Sequence, residues 1–158
     1  MNRETERLAW ARQALSHPDL QLERASVDAG FRSYWRTLDI TPSRIVMDSP
    51  PDKEDVRPWL AMREVLQAAG VRVPQVLAED VDAGFLVLED LGVTTYLHDI
   101  DEANADAMFD AAIDQLLKLQ ATQPPADLHR FDEAMIAREL RLLDEWFCGA
   151  HLGMTLDC

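Results

Sequence analysis

Apolar positions along this chain recur with two different periods, and the change from one to the other comes near residue 102. Residues 4–16 read as a helix, because Leu8, the stem of Arg12 and Leu15 share a face and acids lead the segment. His17-Pro18-Asp19 ends it, since proline holds the residue before it in extended backbone. Two strand candidates follow at 20–26 and 31–39, around the turn Val27-Asp28-Ala29-Gly30 with its glycine placed for positive φ. The second alternates Phe31, Ser33 and Trp35 against Arg32, Tyr34 and Arg36. A third short strand covers 43–48 and stops at Pro50-Pro51, which cannot donate to a ladder.

A second helix is expected over 56–69, with Asp55 as its cap, Pro58 in its first turn and Gly70 in the left-handed position after its end. Its apolar stripe is Trp59, Met62, Leu66 and Ala69. Residues 75–80 and 84–89 form a hairpin around Asp82-Ala83-Gly84. Beyond residue 102 the period becomes helical. Phe109, Ala112, Ile113, Leu116, Leu117 and Gln120 line one long helix, which Gln123-Pro124-Pro125 breaks. Another begins at Asp132, carries Ile136, Leu140, Leu143 and Phe147 on one side, and is expected to end at Gly149. The fold class is therefore α+β: a five-stranded, mainly antiparallel sheet with a crossing helix, followed by a helical segment.

Composition narrows the function classes. The chain has 158 residues, enough for a real core, with 47% hydrophobic and 28% charged positions. A formal net charge of −14 argues against nucleic acid and anionic membranes as partners, since both are polyanions. No apolar stretch is long enough to span a bilayer, and Met-Asn-Arg-Glu-Thr-Glu-Arg lacks the apolar core of a signal peptide. Cys148 and Cys158 make no framework, so a reducing, cytoplasmic setting is expected.

The residues with chemical promise lie at two turns. At 85–92, Phe-Leu-Val-Leu-Glu-Asp-Leu-Gly, an apolar strand stops at two acids and a glycine. At 27–32 a turn between strands either folds backbone N–H groups over phosphates or is a plain hairpin turn; a single glycine makes no GxGxxG. Two further patterns are set aside. Asp99 and Asn104 have the spacing of a phosphotransferase base and metal-binding asparagine, but they follow the 85–92 segment too closely and read as linker and cap groups. His129-Arg130-Phe131-Asp132 reads as a loop and helix cap. The four histidines make no zinc pattern, and the acidic runs make no calcium loop.

Several ordered stretches resemble the aminoglycoside phosphotransferase family, a branch of the protein-kinase-like fold, and within it the bacterial amino-sugar kinases. They are Asp28-Ala29-Gly30-Phe31-Arg32-Ser33-Tyr34-Trp35-Arg36, Val46-Met47-Asp48-Ser49-Pro50-Pro51, Gly70-Val71-Arg72-Val73-Pro74, Gly84-Phe85-Leu86-Val87-Leu88-Glu89-Asp90-Leu91-Gly92, Glu139-Leu140 and Glu145-Trp146-Phe147. The resemblance implies a kinase-like small lobe with its hinge at 1–92 and the start of a helical large lobe at 93–158. It implies ATP and Mg²⁺ as cofactors and a small sugar, N-acetylmuramate or N-acetylglucosamine, as phosphoryl acceptor. Asp28, Ala29, Gly30, Phe31 and Arg32 become nucleotide-loop candidates, Leu88 the back of the base pocket, and the Glu89 carbonyl and Leu91 N–H the groups that pair with adenine.

In this fold a third-strand lysine, paired to a helix glutamate, clamps the phosphates. Here that strand carries no lysine; Met47 or Asp48 stands near its place. Arg32 is the leading substitute, ahead of Arg36 and Lys53, with Glu64 as candidate helix partner. The catalytic base and metal ligands implied by the family have no counterpart in this chain, which is therefore expected to be inactive alone. The competing readings are a non-catalytic interaction module that self-associates through exposed apolar helix faces, and a phosphotransferase for an aminoglycoside or choline-type acceptor.

Overall fold

A computed structural model of the chain describes residues 2–26 and 30–155. It divides into two compact units, residues 1–123 and 124–158. The first holds helix α1 (Arg3–Ala14), strands β1 (Leu22–Ser26), β2 (Ser33–Thr37) and β3 (Arg44–Asp48), helix α2 (Arg57–Ala68), strands β4 (Val76–Asp80) and β5 (Phe85–Glu89), the short helix α3 (Tyr96–Asp99) and helix α4 (Ala105–Gln120). The strands form one five-stranded sheet in the order β1-β2-β3-β5-β4, with every neighbouring pair antiparallel. This is the expected α+β small-lobe architecture followed by helices. Element ends differ from the sequence reading by a residue or two, as fraying ends do.

Strand alternation sorts the core into two layers. On one face Met47, Leu86 and Leu88 pack with Val56 at the entrance to α2, and with Tyr34, Ile45, Trp59 and Leu60. On the other, Val46 meets Ala11 of α1 and Leu20, flanked by Trp10, Leu15, Leu22 and Trp35. Each fully buried aliphatic side chain here contributes about 1.5–3 kcal/mol. β3 and β5 are buried on both faces and carry the continuous apolar runs of central strands.

Among the described residues, two charges, Asp48 and Arg7, are buried inside this frame. Asp48, 2% exposed at the end of β3, points to the α1 face. Arg3 Nε donates to its Oδ1 at 2.8 Å and Arg7 Nη1 to its Oδ2 at 3.1 Å. Each guanidinium also lies on an aromatic ring, Arg3 over Phe85 at 3.9 Å and Arg7 over Trp35 at 3.7 Å. A buried carboxylate is tolerated only when paired, and α1 supplies the pairing.

α2 starts one residue later than a cap at Asp55 would give. Val56 holds the N-cap position, while Asp55 Oδ1 accepts from the Arg57 N–H at 3.0 Å just ahead of the helix. Its packed stripe also shifts to Val56, Trp59 and Leu60, leaving Met62 40% exposed. The apolar faces of α4 at Phe109, Ile113, Leu116 and Leu117 are exposed.

The second unit contains α5 (Glu133–Leu142), capped by Asp132, whose side chain accepts from the Met135 N–H, and a π-helical stretch, Leu143–His151. Gly149 does not end this helix. The left-handed terminator is Gly153, at φ +66°, whose N–H bonds to the Gly149 carbonyl at 3.1 Å. Ile136, Leu140, Leu143 and Phe147 are exposed here too.

The β4–β5 turn is the tightest point of the sheet. Gly84 sits at φ +73°, and a Cβ there would lie 1.9 Å from the Ser49 carbonyl oxygen. Its own carbonyl accepts from the Ser49 N–H at 2.8 Å. Gly70 has a similar φ of +78° with nothing within 4 Å of its Cβ position. Gly84→Ala is expected to lower unfolding free energy by roughly 2–4 kcal/mol, and Gly70→Ala by only about 1–2 kcal/mol. Urea denaturation of both variants checks this; equal losses would show that backbone conformation alone, without the Ser49 contact, governs the turn.

Candidate functional site

A cleft of about 410 Å³ opens on the α2 face of the sheet at the C-terminal end of β5. Ala25 and Ser26 of β1, Tyr34 and Arg36 of β2, and Ile45 of β3 form one wall. Trp59 of α2, Pro74 and Leu88 form the back, and Glu89 through Val93 run along the open edge. Its lining is mostly apolar and its size suits a nucleobase-sized group.

The edge segment is held by one side chain. Asp90, 4% exposed, accepts from Arg36 Nε at 2.6 Å and Arg36 Nη2 at 3.1 Å. It also accepts from Ser43 Oγ at 2.7 Å and from the Gly92 N–H at 2.9 Å. Arg36 Nη2 reaches the Gly92 carbonyl at 3.3 Å as well. The segment leaving β5 is thereby tied to β2 and to the loop before β3. Hydrogen bonds from Arg36 hold the Asp90 carboxyl far below the usual carboxylate range. Burial opposes this, and Ser43 and the Gly92 N–H reinforce it. The Arg36 guanidinium is correspondingly raised, first by its hydrogen bond to Asp90. Beyond this knot, Glu89 is fixed by Arg72 and by the Gln75 N–H, while among the described residues the Leu91 N–H has no hydrogen-bond partner.

Of the residues singled out from the sequence, Leu88, Glu89 and Leu91 line this cleft. Asp28 and Ala29 lie outside the described residues. Phe31 is 64% exposed, and Gly30, Phe31 and Arg32 stand at the opposite end of β2 from Asp90. Arg32 is paired with Glu54, on the loop before α2, at 3.1 Å. Glu64 is exposed on α2. Lys53 pairs with its neighbour Asp52 at the surface. Met47 faces the α2 side and Asp48 the α1 side, so neither places a charge in the cleft.

Arg36 had been weighed as a phosphate group's partner; Asp90 occupies it instead. The joint role of Arg36, Ser43 and Asp90 was not read from sequence. The signal that could have found it is the alternation that puts Arg36 on the same face as Tyr34, opposite Ile45. Asp99, Asp101 and Asn104 form a local turn: Asn104 Nδ2 donates to the Asp99 carbonyl at 2.8 Å, and Asp101 Oδ1 accepts from the Ala103 and Asn104 N–H groups. That is linker and cap geometry.

A five-stranded antiparallel sheet, a crossing helix and an apolar cleft against the end of β5 define a kinase-type small lobe. The chain matches the phosphotransferase enzyme family over residues 21–152, and it belongs to that family. It is 43% identical over 140 residues to an N-acetylmuramate/N-acetylglucosamine kinase of Pseudomonas aeruginosa, covering 89% of this chain and 41% of the relative. It is 44% identical over 138 residues to the protein of that name from Pseudomonas putida, covering 87% of this chain and 41% of the relative. With that from Neisseria meningitidis it shares 37% over 161 residues, 99% of this chain and 48% of the relative. The chain thus spans less than half the length of these curated relatives.

The Asp90 knot has a defined pH signature. A carboxyl with a depressed folded pKa contributes its stability fully above the unfolded value, about 4, and loses it as pH falls through the lower folded value. Asp90→Asn is expected to lower unfolding free energy at pH 7 by roughly 2–4 kcal/mol. The gap to the parent chain should narrow as pH falls below about 4. Denaturation across a pH series measures this; a gap independent of pH would show that Asp90 acts through shape rather than charge.

Proposed function

We propose that this chain is the nucleotide-binding portion of an ATP-dependent small-molecule phosphotransferase acting on N-acetylmuramate or N-acetylglucosamine in the cytoplasm. The observation that carries this reading is the apolar cleft set against a backbone edge that the Asp90 knot holds rigid. A purine ring needs flat apolar walls and a fixed donor–acceptor pair. Ile45, Leu88 and Trp59 supply walls, and the Glu89 carbonyl and Leu91 N–H supply the edge groups. Residues 1–92 act as the small lobe with its hinge, and 93–158 begin a helical lobe on the acceptor side.

In this reading the sugar specificity follows that of the N-acetylmuramate/N-acetylglucosamine kinases to which the chain is similar. The γ-phosphoryl group of ATP passes in line to a sugar hydroxyl, so the protein's contribution is positioning and charge. Mg²⁺, when bound, would neutralise phosphate charge; among the described residues no group of three or more His, Cys, Asp or Glu side chains is placed to hold it. In this reading Gly30 and Phe31 stand on the phosphate side and Arg32 supplies the cation, while Asp28 and Ala29 remain candidates from the sequence alone. What this chain's own residues do is seat the base and orient the triphosphate.

Calorimetric titration with adenosine and ATP tests the base seat. The chain is expected to bind both, and Ile45→Trp, which fills the cleft, to weaken both at least about tenfold, a loss of about 1.4 kcal/mol or more. Unchanged affinity in that variant would remove the base from this cleft.

A second reading concerns association. The exposed apolar faces of α4 and of α5 with its π-helical extension are the kind of surface that draws a partner or another copy of the chain. Light scattering after size exclusion is expected to show self-association that weakens in Leu116→Glu. A monomer at all concentrations would refute it.

A further inference from the structure

A triphosphate approaching a protein of net charge −14 needs cations placed where its oxygens come to rest. The strand next to the cleft supplies none: β3 turns Ile45 and Met47 toward that face and sends Asp48 to the other. Arg36 is committed to Asp90. One further arginine remains on the same strand line. Arg32 lies one residue ahead of β2, and its pairing with Glu54, in the loop before α2, puts it on the α2 side of the sheet with Tyr34 and Arg36. Four residues of extended chain separate Arg32 from Arg36, roughly 13 Å along β2. That is the order of length between a purine and the terminal phosphates of an extended nucleoside triphosphate.

Arg32 is not loose at this position. Its Nε lies 3.1 Å from Glu54 Oε1, with both side chains about two-thirds buried. Nε is shielded from solvent and its N–H is directed off the carboxylate, so the contact is an ion pair without an aligned hydrogen bond. Glu54 is itself fixed: its N–H donates to the Pro50 carbonyl at 2.9 Å, and its carbonyl accepts from Ser49 Oγ at 2.9 Å. The loop that carries it hangs from the same Ser49 whose N–H binds Gly84. Among the described residues the two terminal nitrogens of Arg32 have no hydrogen bond.

We infer that Glu54 is the positioning residue for Arg32, holding its Nε edge so that the terminal nitrogens face the nucleotide's phosphates. The pair takes over the work of a third-strand lysine and helix glutamate, with the acid moved from α2 to the loop before it. A guanidinium suits this arrangement because one edge can bind a carboxylate while the other takes two phosphate oxygens in a fork. The inference rests on the nucleotide reading of the cleft.

Adenosine and ATP separate the two claims, because only ATP reaches Arg32. The intact chain and its Glu54→Gln and Arg32→Ala variants are titrated with each by calorimetry, and their melting temperatures are recorded without ligand. Glu54→Gln is expected to weaken ATP binding about tenfold while adenosine affinity and melting temperature stay near those of the parent. Arg32→Ala is expected to bring ATP down to the affinity of adenosine. An unchanged ATP affinity in Glu54→Gln overturns the inference, whatever Arg32→Ala does. Equal losses for ATP and adenosine overturn it too, since they mark a structural role. Failure of the parent chain to bind adenosine refutes the base seat itself and takes this inference with it.

Discussion

A carboxylate buried at the end of a strand must find a counter-charge, and Asp90 finds it across the sheet in Arg36. That pairing sets the geometry of the cleft edge. The chain leaving β5 cannot swing away from β2, and Ser43 closes the loop before β3 onto the same oxygen that Arg36 Nε holds. It also ties up Arg36, the one cation in the cleft's lining among the described residues. What is left beside the edge is an electrically balanced, mostly apolar recess, which favours an uncharged flat ring over an anion. The negative end of a nucleotide has to be met elsewhere.

The other face of β3 shows the same logic with a different result. Asp48 stands near the place where the fold's third-strand lysine is expected, yet its side chain turns to α1 and is satisfied by Arg3 and Arg7. Removing either arginine would leave a buried charge short of a partner, which is more damaging than never having had the pair. α1 is therefore part of the sheet's electrostatics as well as its core. Its Arg3 also donates to the Ala83 carbonyl beside Gly84, so the helix, the end of β3 and the β4–β5 turn form one unit.

Much of the fold was legible because local signals agreed with tertiary placement. The alternation of Tyr34 and Trp35, the glycine at 84, and the apolar runs of β3 and β5 each point to the element observed. Gly149 failed as a stop signal because a glycine tolerates helical backbone as well as left-handed backbone; Gly153 took the terminal role. Met62 failed as a core residue because α2 rolls toward Val56 and Leu60, and helical period alone does not fix where a wide apolar arc is centred. In the site, the backbone edge was readable from an apolar run ending in acids. The Arg36–Asp90 and Arg32–Glu54 pairs were not, since they join residues 54 and 22 positions apart and nothing local announces them.

The distribution of charge makes the proposed nucleotide seat compatible with so acidic a chain. The repulsion from a charge of −14 is spread over the surface and screened within about 8–10 Å at ordinary ionic strength. Contacts at the cleft operate over hydrogen-bond distances, where that field is a minor correction. Of Arg36 and Arg32, one is consumed in holding the edge, and the other, beside Glu54, has terminal nitrogens that make no hydrogen bond among the described residues. Both are paired with acids, so neither adds net charge to its surroundings, and recognition depends on which guanidinium edge remains open. Under the proposed nucleotide reading, the direction of the donors, more than the amount of positive charge, decides where phosphate oxygens can settle.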